Sequence, residues 1–141
     1  MSKNLIVFTD GGARGNPGPG GIGVVIKTEN ATVVKRISEK LGLATNNEAE
    51  YQALIKALEY LSQNKEKLNI TRETNLNFYL DSKLIVNQVN GFYKVKNSNL
   101  RIFLLKVREL ENYLPGKITY NLISRENNRQ ADQLVNLALD S

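Results

Sequence analysis

The stretch Asp10-Gly11-Gly12-Ala13-Arg14-Gly15-Asn16-Pro17-Gly18-Pro19-Gly20-Gly21 carries more information than any other part of the chain. Glycine dominates it, so the segment presents backbone rather than side chains. Residues 18–23 also fit G-x-G-x-x-G, the pattern that opens a helix in dinucleotide-binding folds. Here the chain continues as Ile22-Gly23-Val24-Val25-Ile26-Lys27, a β-branched run that reads as a strand. The nucleotide-fold reading is therefore rejected. The segment is expected to be a glycine loop that lets backbone approach a nucleic-acid strand closely, with Asn16 offering its side-chain amide. A plain hairpin turn would account for the glycines, but not for their position directly after Asp10.

On either side of this stretch, residues 4–9 read as a buried strand, and residues 22–27 and 32–38 as two more, separated by the turn-like Thr28-Glu29-Asn30. Hairpin connections make these pairs antiparallel. Ala49, Ala53, Leu54, Ala57, Leu58 and Leu61 recur at three and four, which predicts a helix over residues 46–62. A strand is expected at 76–80, a short helix capped by Ser82 and stopped at Gly91, and a helix over 98–113 ended by Pro115-Gly116. A strand at 118–123 and a last helix marked by Ala131, Leu134, Val135 and Ala138 complete the order βββαβααβα. Hairpin-joined strands followed by crossovers imply an α/β fold with a mixed five-stranded sheet and helices on both faces. No repeat or linker divides the chain, and a single domain over residues 1–141 is expected.

The chain has no His and no Cys. A Ser-His-Asp triad, a thiolate nucleophile, an imidazole base and a zinc site of the usual kind are excluded, which leaves carboxylates, hydroxyls, amines or a bound metal for any catalysis. The 19 Lys plus Arg exceed the 14 Asp plus Glu, giving a net charge of +5 that suits a polyanionic partner. Lys94, Lys96, Arg101, Lys106 and Arg108 form a loose basic group that reads as a solvated helix face. The opening apolar run, residues 5–8, is far shorter than a membrane span, and no signal-peptide pattern accompanies it; no membrane association and a cytoplasmic location are expected.

Asp10 and Asp81 end strands that a right-handed crossover would make parallel neighbours, so both carboxylates would face one crevice. Each alone also fits an ordinary turn or helix start. Glu50 shares the apolar stripe of its helix, where a buried charge needs a partner. Glu48 instead completes Thr45-Asn46-Asn47-Glu48, a capping box, and reads as structural. Asp132 sits near the start of the last helix, where it also suits the helix dipole. Four converging carboxylates would resist ionisation unless a hard divalent cation neutralised them, and oxygen-only ligands favour magnesium or manganese. Such a cluster serves phosphoryl chemistry.

Thr9-Asp10-Gly11-Gly12, Gly15-Asn16-Pro17-Gly18-Pro19-Gly20-Gly21, Thr45-Asn46-Asn47-Glu48-Ala49-Glu50, Leu80-Asp81-Ser82 and Asn128-Arg129-Gln130-Ala131-Asp132 together resemble type 1 ribonuclease H, nearly end to end. The resemblance implies the ribonuclease H-like fold and an endonuclease that hydrolyses the RNA strand of an RNA–DNA hybrid with two Mg2+ ions, Mn2+ being able to substitute. The products would carry 5′-phosphate and 3′-hydroxyl ends. Asp10, Glu50, Asp81 and Asp132 match the family's metal-binding carboxylates. Gly11, Gly12, Asn16, Asn46 and Asn47 match positions that touch the RNA backbone and sense 2′-hydroxyls, and Thr45 one near the DNA phosphate site. Many members place a His in the loop before the last carboxylate; here that loop is Ser124-Arg125-Glu126-Asn127, as in the branch with Arg instead, which makes Arg125 a candidate catalytic residue. A catalytic domain without a separate hybrid-binding domain ahead of it is expected, and so is a monomer. The rival readings are a non-catalytic nucleic-acid binder and a DNA-cutting member of the same fold.

Overall fold

The computed structural model describes residues 4–141. Five strands, β1 (Asn4–Ala13), β2 (Gly18–Thr28), β3 (Val33–Ala44), β4 (Asn75–Leu80) and β5 (Lys117–Leu122), form one sheet in the order β3-β2-β1-β4-β5. The first three pair antiparallel, while β4 runs parallel to both β1 and β5. Four helices join them: α1 (Asn46–Gln63), α2 (Lys83–Val89), α3 (Ser98–Glu111) and α4 (Arg129–Asp140), the last preceded by a 3-10 turn (Arg125–Asn128). The predicted order and the mixed sheet are both present.

The main departure from expectation lies in the glycine stretch. It is a β-hairpin rather than a loop: Gly11 pairs with Ile22, Gly12 with Gly21 and Ala13 with Gly20, leaving only residues 14–17 as a turn. Asp10 therefore lies inside β1 and does not end it. Strand β3 likewise runs on to Ala44 instead of stopping at residue 38. At two of the strand glycines, Gly11 and Gly23, a helix backbone crosses so closely that no side chain fits. A Cβ on Gly11 would stand 2.2 Å from the Ala49 carbonyl oxygen of α1, and one on Gly23 would stand 2.2 Å from the Ala131 oxygen of α4. Gly23 pairs with Asp10, the neighbour of Gly11, and alternate residues of a strand point to opposite faces. The two close approaches thus seat α1 and α4 on opposite sides of the sheet, each near Asp10.

The core lies on the α1 side, where Leu54, Leu58 and Leu61 of α1 pack with Val7, Val24, Phe78 and Leu80 of the sheet and with Leu100, Val107 and Leu110 of α3. Within it the Tyr51 hydroxyl donates to Gln88 Oε1 at 2.7 Å, so the polar tip that this tyrosine carries into the core is satisfied. The basic group is not wholly a solvated face. Arg108 donates to Val89 O at 2.6 Å and pairs with Glu111 at 3.0 Å, and Glu111 also accepts from the Tyr120 hydroxyl at 2.6 Å, which ties α3 to α2 and β5. No helix is long and apolar enough to cross a membrane among the described residues.

Candidate active site

Asp10 comes from β1, Asp81 from the residue after β4, and Glu50 from the second turn of α1. The β1–β4 ladder ends at the Phe8–Tyr79 pair, so Asp10 and Asp81 follow it by two residues each at the carboxyl edge of the parallel pair. That is where open α/β sheets form crevices. Glu50 is delivered by the cap that starts α1. Thr45 Oγ1 accepts from Glu48 N at 3.1 Å and Glu48 Oε1 accepts from Thr45 N at 2.8 Å, the two halves of a capping box. With the register of α1 fixed, Glu50 falls against the Gly11 backbone and accepts its N–H at 2.6 Å.

One oxygen each from Asp10, Glu50 and Asp81 lies within 4.8 Å of the others. Asp132, in the first turn of α4, stands outside that closest group but lines the same cleft of about 480 Å3, together with Asn46, Asn47 and Arg125. Asp10 and Glu50 are only 8% and 6% exposed. Burial pushes Asp10 up to about 7, aided by the charges of Asp81 and Asp132 and opposed by its hydrogen bond with Glu50. Burial also raises Glu50 well above the usual carboxyl range, as do its hydrogen bond with Asp10 and the Asp10 charge, against the lowering effect of the Gly11 N–H. Glu50 Oε2 is buried without a protein partner among the described residues. An unpartnered buried carboxylate oxygen beside two further carboxylates, all with oxygen donors, fits a hard divalent cation.

The other sequence-predicted residues divide by position. Gly11 faces α1, and its N–H is already given to Glu50, which leaves it a packing role. Gly12 lines the cleft with nothing closer to a Cβ than Val135 Cγ1 at 3.8 Å. Asn46 Oδ1 accepts from Ala13 N at 2.9 Å and Asn46 N donates to Asn16 Oδ1 at 2.9 Å, which pins the hairpin turn to the start of α1. That arrangement turns the carbonyl end of the Asn46 side chain to the hairpin and leaves its amide nitrogen for the cleft. Thr45 is engaged as the cap and does not line the cleft. Arg125 is exposed in the 3-10 turn and makes no ion pair with Glu126 or any other acid among the described residues.

Sequence reasoning missed Asn128 as an individual residue. Its buried side chain donates to Thr9 O at 2.9 Å and to Asp81 Oδ2 at 3.2 Å. Those partners lie 119 and 47 residues away, beyond the reach of any local pattern.

The mixed sheet with acidic residues gathered at the edge of its parallel strands defines the ribonuclease H-like fold class. A family model described as reverse transcriptase-like matches residues 8–138. A bifunctional protein of Mycobacterium tuberculosis is 38% identical over 138 residues, covering 97% of this chain and 36% of that protein, so the chain spans about a third of the length of such mycobacterial relatives. Ribonuclease H1 LC11, isolated from compost, is 44% identical with a TM-score of 0.89, covering 97% of this chain and 96% of that one. LC11 ribonuclease H1 in complex with an RNA/DNA hybrid gives a TM-score of 0.90 at 43% identity, over 96% of each chain. Ribonuclease H1 of the archaeon Halobacterium salinarum is 32% identical with a TM-score of 0.86, over 97% of this chain and 98% of that one. The chain belongs to the reverse transcriptase-like family, within its type 1 ribonuclease H branch.

Proposed function

We propose that the chain is an endonuclease that hydrolyses the RNA strand of RNA–DNA hybrids, with Mg2+ as its natural cofactor and Mn2+ able to replace it. The observation that carries this reading is the grouping of Asp10, Glu50 and Asp81 oxygens within 4.8 Å in an open cleft that Asp132 also lines. The LC11 relative bound to a hybrid supplies the substrate class.

In this reading Asp10, Glu50, Asp81 and Asp132 hold two cations, which when bound make water nucleophilic at neutral pH and stabilise the departing oxygen. Water oxygen bonds to phosphorus as the bond from phosphorus to the 3′-oxygen breaks, giving a 5′-phosphate and a 3′-hydroxyl. Asn46, Asn47, Gly12 and Asn16 line or rim the cleft where the RNA backbone would lie, and a free amide donor suits the 2′-hydroxyl, the group that distinguishes RNA from DNA. Thr45 serves the DNA strand only through the end of α1 that it caps. Gly11 serves the site from behind, by holding Glu50. Arg125, exposed and uncommitted, binds the phosphate at the cut. Residues 1–141 act as a single catalytic domain and a monomer, in the cytoplasm.

End-labelled hybrid, RNA duplex and DNA duplex, each incubated with Mg2+ or with EDTA, test this. Metal-dependent cutting of the RNA strand of the hybrid is expected. Hybrid left intact by both Mg2+ and Mn2+ would refute the enzyme, and equal cutting of the DNA strand would favour the DNA-cutting rival.

A further inference from the structure

We propose that Asn128 is a positioning residue that holds Asp81 in ligand geometry and locks together the three chain segments bearing Asp10, Asp81 and Asp132; this rests on the metal-dependent reading above. Asn128 occupies the N-cap position of α4, with φ −107° and ψ 24°. Asparagine there ordinarily accepts a hydrogen bond from the first turn of the helix. Here the side chain makes no such bond. It turns inward, is 1% exposed, and donates through Nδ2 to Thr9 O and Asp81 Oδ2. Both partners are acceptors only, which fixes which end of the amide faces them. The other end, Oδ1, is buried with no protein partner among the described residues.

Two local preferences are thus given up at one residue, a cap and a satisfied carbonyl, and both are given up to keep the amide where it is. Such departures concentrate at functional positions. The place explains the use. The β1–β4 ladder stops at Phe8 and Tyr79, and it no longer ties the segments that carry Asp10 and Asp81 just beyond. Asn128 Nδ2 spans that gap, from Thr9 immediately before Asp10 to Asp81 itself. Asn128 also begins the helix whose first turn carries Asp132. A neutral donor serves better than a cation, because it orients the Asp81 carboxylate without cancelling the charge a metal would need.

The test compares wild type with Asn128→Ser and Asn128→Ala. Serine can cap α4 but cannot reach Asp81. Mn2+ binding without nucleic acid is read by calorimetry, the melting temperature in EDTA, and kcat and KM on a labelled hybrid. Asn128→Ser is expected to melt near wild type or above Asn128→Ala while Mn2+ affinity and kcat fall at least about 10-fold and KM for the hybrid changes little. Higher Mn2+ should recover part of the lost rate. Wild-type Mn2+ affinity in Asn128→Ser overturns the inference, as does a loss of rate that follows the melting temperature alone. Wild-type protein that binds no Mn2+ overturns the metal-dependent reading, and this inference with it. A readout that needs no variant is the Asn128 side-chain amide in NMR of the wild type: slow hydrogen exchange and a shift on adding Mg2+ alone are expected, and fast exchange overturns the proposal.

Discussion

The Gly11 N–H donates to Glu50 Oε1 at 2.6 Å, and the same glycine is the point where α1 comes within contact of β1. Packing and chemistry therefore depend on one missing side chain. A Cβ at residue 11 would lie 2.2 Å from Ala49 O and 2.6 Å from Glu50 N, all backbone, so nothing can swing aside. Gly11→Ala should lose several kcal/mol, as overpacking against backbone does, and should lose hybrid cleavage because Glu50 moves with α1. Gly42→Ala is the control: a Cβ there meets nothing within 4 Å, and both melting temperature and cleavage should stay near wild type. Thermal melts and a hybrid-cleavage assay on the two variants check this, and a fully active Gly11→Ala would refute it.

Two glutamates two residues apart have opposite expected fates. Glu48 closes the capping box through Oε1 and accepts from Asn99 Nδ2 at 3.1 Å through Oε2; a glutamine keeps the capping bond with its one carbonyl oxygen and gives up only the exposed contact with Asn99. Glu48→Gln should cost about 1 kcal/mol at most and leave much of the activity. Glu50→Gln replaces an oxygen of the buried cluster by a donor and should abolish cleavage with little loss of stability in EDTA. A dead Glu48→Gln beside an active Glu50→Gln would reverse the assignment.

The acidic cluster should make the metal-free protein sensitive to pH in a definite direction. Asp10 ionises near its ordinary value of about 3.9 when unfolded and at about 7 when folded. Between those values the native state holds a proton that the unfolded state has released, so stability is greatest below the lower value and is lost as pH rises to the upper one. Glu50, raised in the same sense, extends the loss. In EDTA the melting temperature should fall from pH 5.5 to 7.5, and Asp10→Asn should flatten that slope and melt above wild type at pH 7.5. Saturating Mg2+ should restore the wild type. A lower melting temperature for Asp10→Asn at pH 7.5 in EDTA would make Asp10 a structural hub instead.

Sequence is most informative where the deciding interaction is local. The capping box from Thr45 to Glu48 is written in four consecutive residues, and it sets the register that buries Glu50. The apolar period of α1 and the hairpin turn at residues 28–30 are local too. The glycine stretch reads as a loop because glycine carries no strand preference of its own; its strands exist through tertiary contact, with Ala49 and Ala131 pressing on Gly11 and Gly23. Asn128 is illegible for a related reason. Asparagine before a helix looks like a cap, and only the assembled fold shows that its side chain is used elsewhere.

Arg125 lies exposed in the 3-10 turn between β5 and α4, lines the cleft that holds the carboxylates, and has no acidic partner among the described residues. A guanidinium stays charged at every working pH and grips phosphate through two parallel N–H bonds, so it can hold the scissile phosphate or the leaving product but cannot shuttle a proton. Arg125→Ala should therefore slow turnover by about 10-fold, the cost of one lost charge-assisted contact of roughly 1.5 kcal/mol. Its melting temperature should barely move, since the side chain supports nothing else. Arg125→Lys should recover part of the rate, because the charge returns without the planar fork. The chain has no His, so the pH profile of the wild type should show no inflection of imidazole origin near about 6.5, and Arg125→Ala should lower that profile without changing its shape. Steady-state rates on a labelled hybrid from pH 5.5 to 9 at saturating Mg2+ measure both. Wild-type turnover in Arg125→Ala would leave the carboxylates as the whole of the catalytic machinery.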